Sequence, residues 1–357
     1  MLEESLYVLD GIVLNLHGTD IGGDCDYLKL RSDADVIVNL RAHGGSLDFV
    51  NTRVTSWDPS TADVDTDWAD GRSYISAISE VLLDADETCA GVAKNNMGEA
   101  RMDIENCEIS HLGYEASESW GISWKLRGIC QDKSNREKYE GFGVYGNLLR
   151  SNVHNLYYGH YGYAQNYALL QGNTVHDNEV YGFDPHDDSL NLTIADNEVY
   201  FNFHHGIIFS KYCHNTIVTG NYVHDNGGVG IFPHFVSDNA VISHNTVEQN
   251  GDSGIAFLES SGAWCTTTRC ATTFTGFGFR LGPATTWWPR TFSRTIRGTI
   301  CISTTATIRW SRLRRASLRA TCILRTNSLA ILVVPAWTTR SARSSSRTKP
   351  ETGLVLS

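Results

Sequence analysis

Four segments of the chain repeat at one fixed spacing, and that spacing leaves few folds open. VYGFDPHDDS (180–189), HHGIIFSKYC (204–213), GVGIFPHFVS (228–237) and DSGIAFLESS (252–261) align with Gly182, Gly206, Gly230 and Gly254 each 24 residues apart. Gly159, in YYGHYGYAQN, lies 23 residues before Gly182. Two asparagine ladders keep the 24-residue period: Asn173, Asn197, Asn221, Asn245 and Asn178, Asn202, Asn226, Asn250. A helical repeat has no use for asparagine at one fixed position per repeat. A chain that coils through short strands and turns does, because equivalent residues stack about 4.8 Å apart and stacked amides bond one another. No ankyrin, tetratricopeptide or leucine-rich consensus occurs. The period therefore reads as the coil of an all-β parallel β-helix, with glycine permitting a tight corner before each strand.

Strand alternation then sorts the faces. Phe183, Ile207, Ile231, Ile255 and Pro185, Phe209, Pro233, Phe257 form two apolar columns, expected to face the core. The columns between them, Asp184, Ile208, Phe232, Ala256 and His186, Ser210, His234, Leu258, are expected to face out. Asp184 and His186 should thus lie side by side on an outer face, with Lys211 in the column of Asp187 one coil along. Tyr158, Tyr161 and Tyr163 on the preceding coil, and Tyr181, would wall a groove along the axis. An acid, an imidazole and a cation within one rung suit proton transfer. The rung is close to one sugar length, so an acidic polysaccharide is the natural ligand of such a groove. Plainer roles exist for several residues. Asp187 and Asp188 also suit a turn, His204 and His205 open a coil where one can pack against Tyr181, His176, His224 and His234 recur with the coil, and Lys125 and Arg150 read as solvated charges.

Composition divides the chain. Of 357 residues carrying a net charge of −11, residues 263–357 hold 14 Arg and one Lys against a single acid, Glu351. That leaves 14 basic and 39 acidic residues, a net of −25, in 1–262. A basic nucleic-acid-binding tail is one reading; a slipped reading frame is the better one. Shifted by one base, Trp310–Ala316 can be read as Val-Glu-Val-Glu-Thr-Gly, which restores the composition of the first part. The expected organisation is a catalytic β-helix over 1–262 and an irregular, non-native tail over 263–357. Nine cysteines without CxxC or metal-ligand spacing read as isolated thiols, with neither a zinc site nor a disulfide framework. No apolar run reaches the roughly 20 residues of a membrane span. The start, MLEESLYVLDG, is acidic where a secretory signal would be basic, so the chain is either cytosolic or lacks its true N-terminus.

YGFDPHDDS (181–189) resembles the DPH-D signature of mannuronan C5-epimerases, and the likeness extends to SHLGYEASESWGISW (110–124), LYYGHYGYAQNYALLQGNTVHDNEVYG (156–182) and NEVYFNFHHGIIFSKY (197–212). It covers roughly 100–262. The resemblance implies a right-handed β-helix that converts D-mannuronate to L-guluronate within alginate. It implies His186 as the base at C5, Asp184 as the carboxylate that orients it, and Lys211, where relatives commonly carry arginine, as the group neutralising the uronate carboxylate. Tyr181 or water would return the proton, and Tyr158, Tyr161, Tyr163, Asp187, His205 and His234 would contact the polymer. Asp188 stands where bacterial relatives often have arginine. The implied setting is extracellular, cell-wall or periplasmic, although this chain shows no signal peptide. The implied partner is polymannuronate, without nucleic acid or membrane, and the protein itself is expected to be a monomer. No cofactor is required, and Ca²⁺ bridging between the acidic body and an acidic polymer stays open. Alginate lyase chemistry by β-elimination and a noncatalytic sugar-binding scaffold are the alternatives.

Overall fold

The computed structural model describes residues 1–82, 94–95, 98–128 and 142–271. These build a parallel β-helix of three sheets, in which each sheet takes one strand from every successive coil. The first sheet runs through Tyr158–Tyr163, Phe183–His186, Ile207–Ser210 and Ile231–His234. The second runs through Leu169–Gln171, Thr193–Ala195, Ile217–Thr219 and Val241–Ser243. The third runs through Thr174–His176, Glu198–Tyr200, Tyr222–His224 and Thr246–Glu248. All of these pair in parallel with their counterparts one coil away.

The core is filled by columns rather than by a central cluster. Val153, Val175, Val199, Val223 and Val247 stack in the third sheet, and Leu148, Leu170, Ile194, Val218 and Ile242 in the second, all fully buried. Phe183, Ile207, Ile231 and Phe209 complete the section from the first sheet, on the predicted inner side. Each such side chain contributes about 1.5–3 kcal/mol by leaving water.

The asparagine ladders are the hydrogen-bonded spine. Asn197 Oδ1 accepts the backbone N–H and the side-chain amide of Asn173, both at 2.9 Å. Its own Nδ2 donates to Leu170 O and Asn221 Oδ1, again at 2.9 Å. Asn178, Asn202, Asn226 and Asn250 repeat the pattern at the next corner. Truncation at one rung leaves several buried polar groups unpaired, and each such group costs about 1–3 kcal/mol. Asn197→Ala should therefore lower unfolding free energy by about 3 kcal/mol in a denaturant titration. A loss under about 1 kcal/mol would show that the ladder is dispensable.

Glycine has a different role from the one expected. Gly182 does not take a left-handed conformation; instead a Cβ there would lie 2.6 Å from Gly206 O and 2.6 Å from Val199 Cγ1. Gly159, Gly206 and Gly230 are crowded in the same way. The column is glycine because adjacent coils close together there. The domain boundary also moves. Trp264–Thr266 and Arg269–Ala271 still pair in parallel with Val241–Ser243 and Thr246–Glu248, so the coils run past residue 262 to Ala271. The rest of the proposed tail, 272–357, lies outside the described residues. Of the described cysteines, Cys25, Cys107, Cys213 and Cys270 are free, as expected, whereas Cys265 is in a disulfide. Among the described residues no helix is long and apolar enough to cross a membrane.

Candidate active site

Register places Tyr161 opposite Asp184 and Tyr163 opposite His186, and the next coils add Ser210 and His234 to the histidine column. The strand ends at His186 in a turn of two left-handed residues, Asp187 at φ 23° and Asp188 at φ 61°. The turn recurs one coil on at Lys211 (62°) and Tyr212 (66°). Such conformations are unfavourable for residues with a Cβ and persist where the surroundings enforce them. Here Asp188 N–H bonds Lys211 O at 3.0 Å and Lys211 N–H bonds His234 O at 3.0 Å.

The turn folds Asp187 back on the preceding residue, and its Oδ2 hydrogen-bonds His186 Nδ1. Lys211 Nζ stands 3.8 Å from the same oxygen, on a side chain that is half exposed. His186, Asp187 and Lys211 are therefore one constellation. Asp184 is not the imidazole's partner, and it is not exposed. It is 2% accessible, and its Oδ1 has no hydrogen-bond partner among the described residues. Alternation fixed its face correctly, but tyrosines from its own coil and the preceding one cover it.

That cover is aromatic. Tyr158 meets Tyr161 and Tyr181 at ring separations of 5.8 and 5.5 Å. Tyr161 stacks over His186 at 5.9 Å and against Trp120 at 4.1 Å. Tyr181 stacks on His205 at 5.2 Å, and the His205 Nδ1 accepts the Val229 N–H at 2.8 Å, a bond that fixes the corner. His234 bonds Ser210 Oγ through Nδ1 at 2.8 Å and packs on Phe232 at 4.8 Å. All ten predicted site residues thus fall on or beside one strip of the first sheet. Ser210 and Phe232, read only as outward column members, join it, and so does Trp120, which was not anticipated. Phe232 was legible as an outward column member; Trp120 sits in an irregular coil with no period to mark it.

Burial sets the electrostatics. Asp184 is pushed up to about 7 by burial, with Asp187 adding to the rise and His186 and Lys211 opposing it. Burial, and then the charge of Asp184, raise Tyr158, Tyr161 and Tyr181, so these hydroxyls keep their protons. Burial, His186 and Lys211 lower His234 to about 4, and burial lowers His205 to about 4. Linkage gives a sign. Because the folded pKa of Asp184 lies above its unfolded value, its contribution to stability is full below about pH 4 and is lost as pH rises to about 7. Asp184→Asn should therefore raise Tm at pH 8 and change it little at pH 4. Equal Tm shifts at both pH values would disprove the buried-carboxyl account. Among the described residues no group of three or more His, Cys, Asp or Glu side chains is arranged to hold a metal ion.

The site is thus a long outer strip of aromatic and ionisable residues on a parallel β-helix. The right-handed β-helix region family matches residues 89–272, and the chain belongs to that family. Mannuronan C5-epimerase of Pseudomonas aeruginosa is 35% identical to it over 123 residues, 34% of this chain and 22% of the relative. Mannuronan C5-epimerase AlgG of Azotobacter vinelandii is 36% identical over 115 residues, 32% of this chain and 21% of the relative. Each match thus spans about a fifth of the curated relative's length. The solved periplasmic alginate epimerase AlgG superposes with a TM-score of 0.59 at 23% identity, over 72% of this chain and 55% of that one, which shows a shared fold.

Proposed function

We propose that the chain is an alginate-acting mannuronan C5-epimerase, and that His186, Asp187 and Lys211 carry its first proton transfer. The observation that carries this is the bond from Asp187 to His186 Nδ1, with Lys211 beside it. Asp187 fixes the imidazole so that Nε2 is the nitrogen presented to the groove, as a base needs. Lys211 neutralises the uronate carboxylate, which makes the adjacent C5–H acidic. His186 takes that proton, and the enolate charge passes onto the carboxylate held by Lys211. The imidazolium so formed is stabilised by Asp187 and by buried Asp184.

A proton must then return to C5 from the opposite face. Tyr181 is suited to this, since its hydroxyl stays protonated and the Tyr158–Tyr161–Trp120 wall positions the ring. Asp184, assigned from the resemblance to orient the base, is instead buried beside the tyrosines, whose hydroxyls burial, and only secondarily its charge, keeps protonated. His205 and His234 stay neutral and line the groove. The reading calls for no resident cofactor, and it carries an extracellular or periplasmic setting over from the relatives.

Product analysis tests it. Incubation with polymannuronate should increase the guluronate signal in NMR without shortening the chains. Absorbance from unsaturated ends would instead mean β-elimination, and unchanged polymer would mean a binding scaffold.

A further inference from the structure

Beyond the aromatic wall, toward the N-terminal coils, one carboxylate gathers three cations. Glu118 accepts Lys125 Nζ at 2.9 Å and both Nε (2.9 Å) and Nη2 of Arg127, and it lies 3.9 Å from Arg41 Nη2. Arg41 is fixed from its other side, where Nε donates to Ser76 Oγ at 3.0 Å. Glu118 has φ 67°, a left-handed conformation unfavourable for glutamate, so the loop holds its carboxylate into the cluster against local preference. Burial raises Glu118, but its bonds from Arg127 and Lys125 outweigh this and bring it to about 2.

The charges do not cancel. Glu118 offsets one of three cations, and Glu80, opposite Arg127 in register, offsets another. Among the described residues a positive surplus remains. Arg127 commits a two-pronged contact to Glu118, whereas Lys125 uses one of its three donors there. Lys125 Nζ also lies 5.3 Å from the Trp120 ring centre and 5.7 Å from that of Tyr163. Trp120 continues through Tyr161 to His186. In register Lys125 is opposite Tyr163, and Tyr163 is opposite His186. Two strand steps, roughly 10 Å, therefore separate the cation from the base.

We propose that Lys125, with Arg41 beside it and Glu118 holding both, is a carboxylate subsite that grips a uronate two sugar units from the reacting one. It rests on the epimerase reading for the identity of the polymer, and on the cluster alone for the recognition of a sugar acid. Lys125 touches no reacting atom; it is a positioning residue that sets register along the polymer.

Equilibrium binding of polymannuronate, polygalacturonate and neutral mannan to the parent and to Lys125→Met tests this. Methionine keeps an unbranched stem over Trp120 and removes the charge. Polymannuronate should bind the variant about tenfold more weakly, the loss expected for one charge-assisted contact, with a shallower salt dependence. Neutral mannan should bind both chains alike. In turnover, KM should rise while kcat stays within about twofold of the parent, as for lost ground-state binding. A variant that binds polymannuronate as tightly as the parent, with the same salt slope, overturns the subsite. If the parent prefers polygalacturonate and that binding depends on Lys125, the alginate reading fails while the subsite stands. If the parent binds neither polyuronate, both fall.

Discussion

Replacing His186 with alanine should lower epimerisation by roughly 100-fold or more, the usual loss when a general base is removed. The fold should persist, because the side chain projects outward and the columns of Phe183 and Phe209 are untouched. Thermal melting within a few degrees of the parent would confirm that the loss is chemical. The variant also leaves Lys211 at 3.8 Å from Asp187, so binding of polymannuronate should survive. Retention of more than about a tenth of parental activity would exclude His186 as the base.

Removing the charge at Lys211 should be nearly as severe. Lys211→Ala should reduce kcat by about 100-fold, in the range seen when one group stabilising developing negative charge is deleted. Lys211→Arg should retain activity or improve it, since a guanidinium can grip a carboxylate with two parallel bonds. The backbone supplies a control. Lys211 sits at φ 62°, so Lys211→Gly should relieve strain and raise Tm while losing activity like the alanine variant. A folded but inactive Lys211→Arg would show that charge neutralisation is not the role of this position.

Much of the fold could be read before any coordinates, for a physical reason. Where coils are 24 residues long, one register positions every column, so inner Phe183 and Phe209 and outer His186 and Ser210 follow from alternation alone. The earlier coils were opaque, because Arg41, Ser76 and Ser123 are successive rungs of one column separated by unequal lengths of chain. The site was legible as a strip but not as a network. Alternation says which way Asp184 points, yet not that Tyr158, Tyr161 and Tyr181 from two coils will cover it. Nor does it reveal that a turn at φ 23° and 61° aims Asp187, rather than Asp184, at the imidazole. Glu118 and Trp120 were hidden for the same reason as their coil, whose ladder is interrupted by a bulge between Gly121 and Ser123.

From Asn173 to Asn250 the molecule has the translational order of a one-dimensional crystal, each amide bonded to its image one cell further on. A dislocation of a few residues would break every bond beyond it, whereas a whole added or missing cell would leave the lattice closed. The groove can therefore be lengthened or re-spaced in whole-cell steps only. Because one step is near one sugar, His234 and Lys211 can change their distance from His186 only in jumps that keep phase with the polymer. On the epimerase reading, such a scaffold would make the pattern written along a polysaccharide a quantised trait, tuned by counting coils rather than by small shifts of side chains.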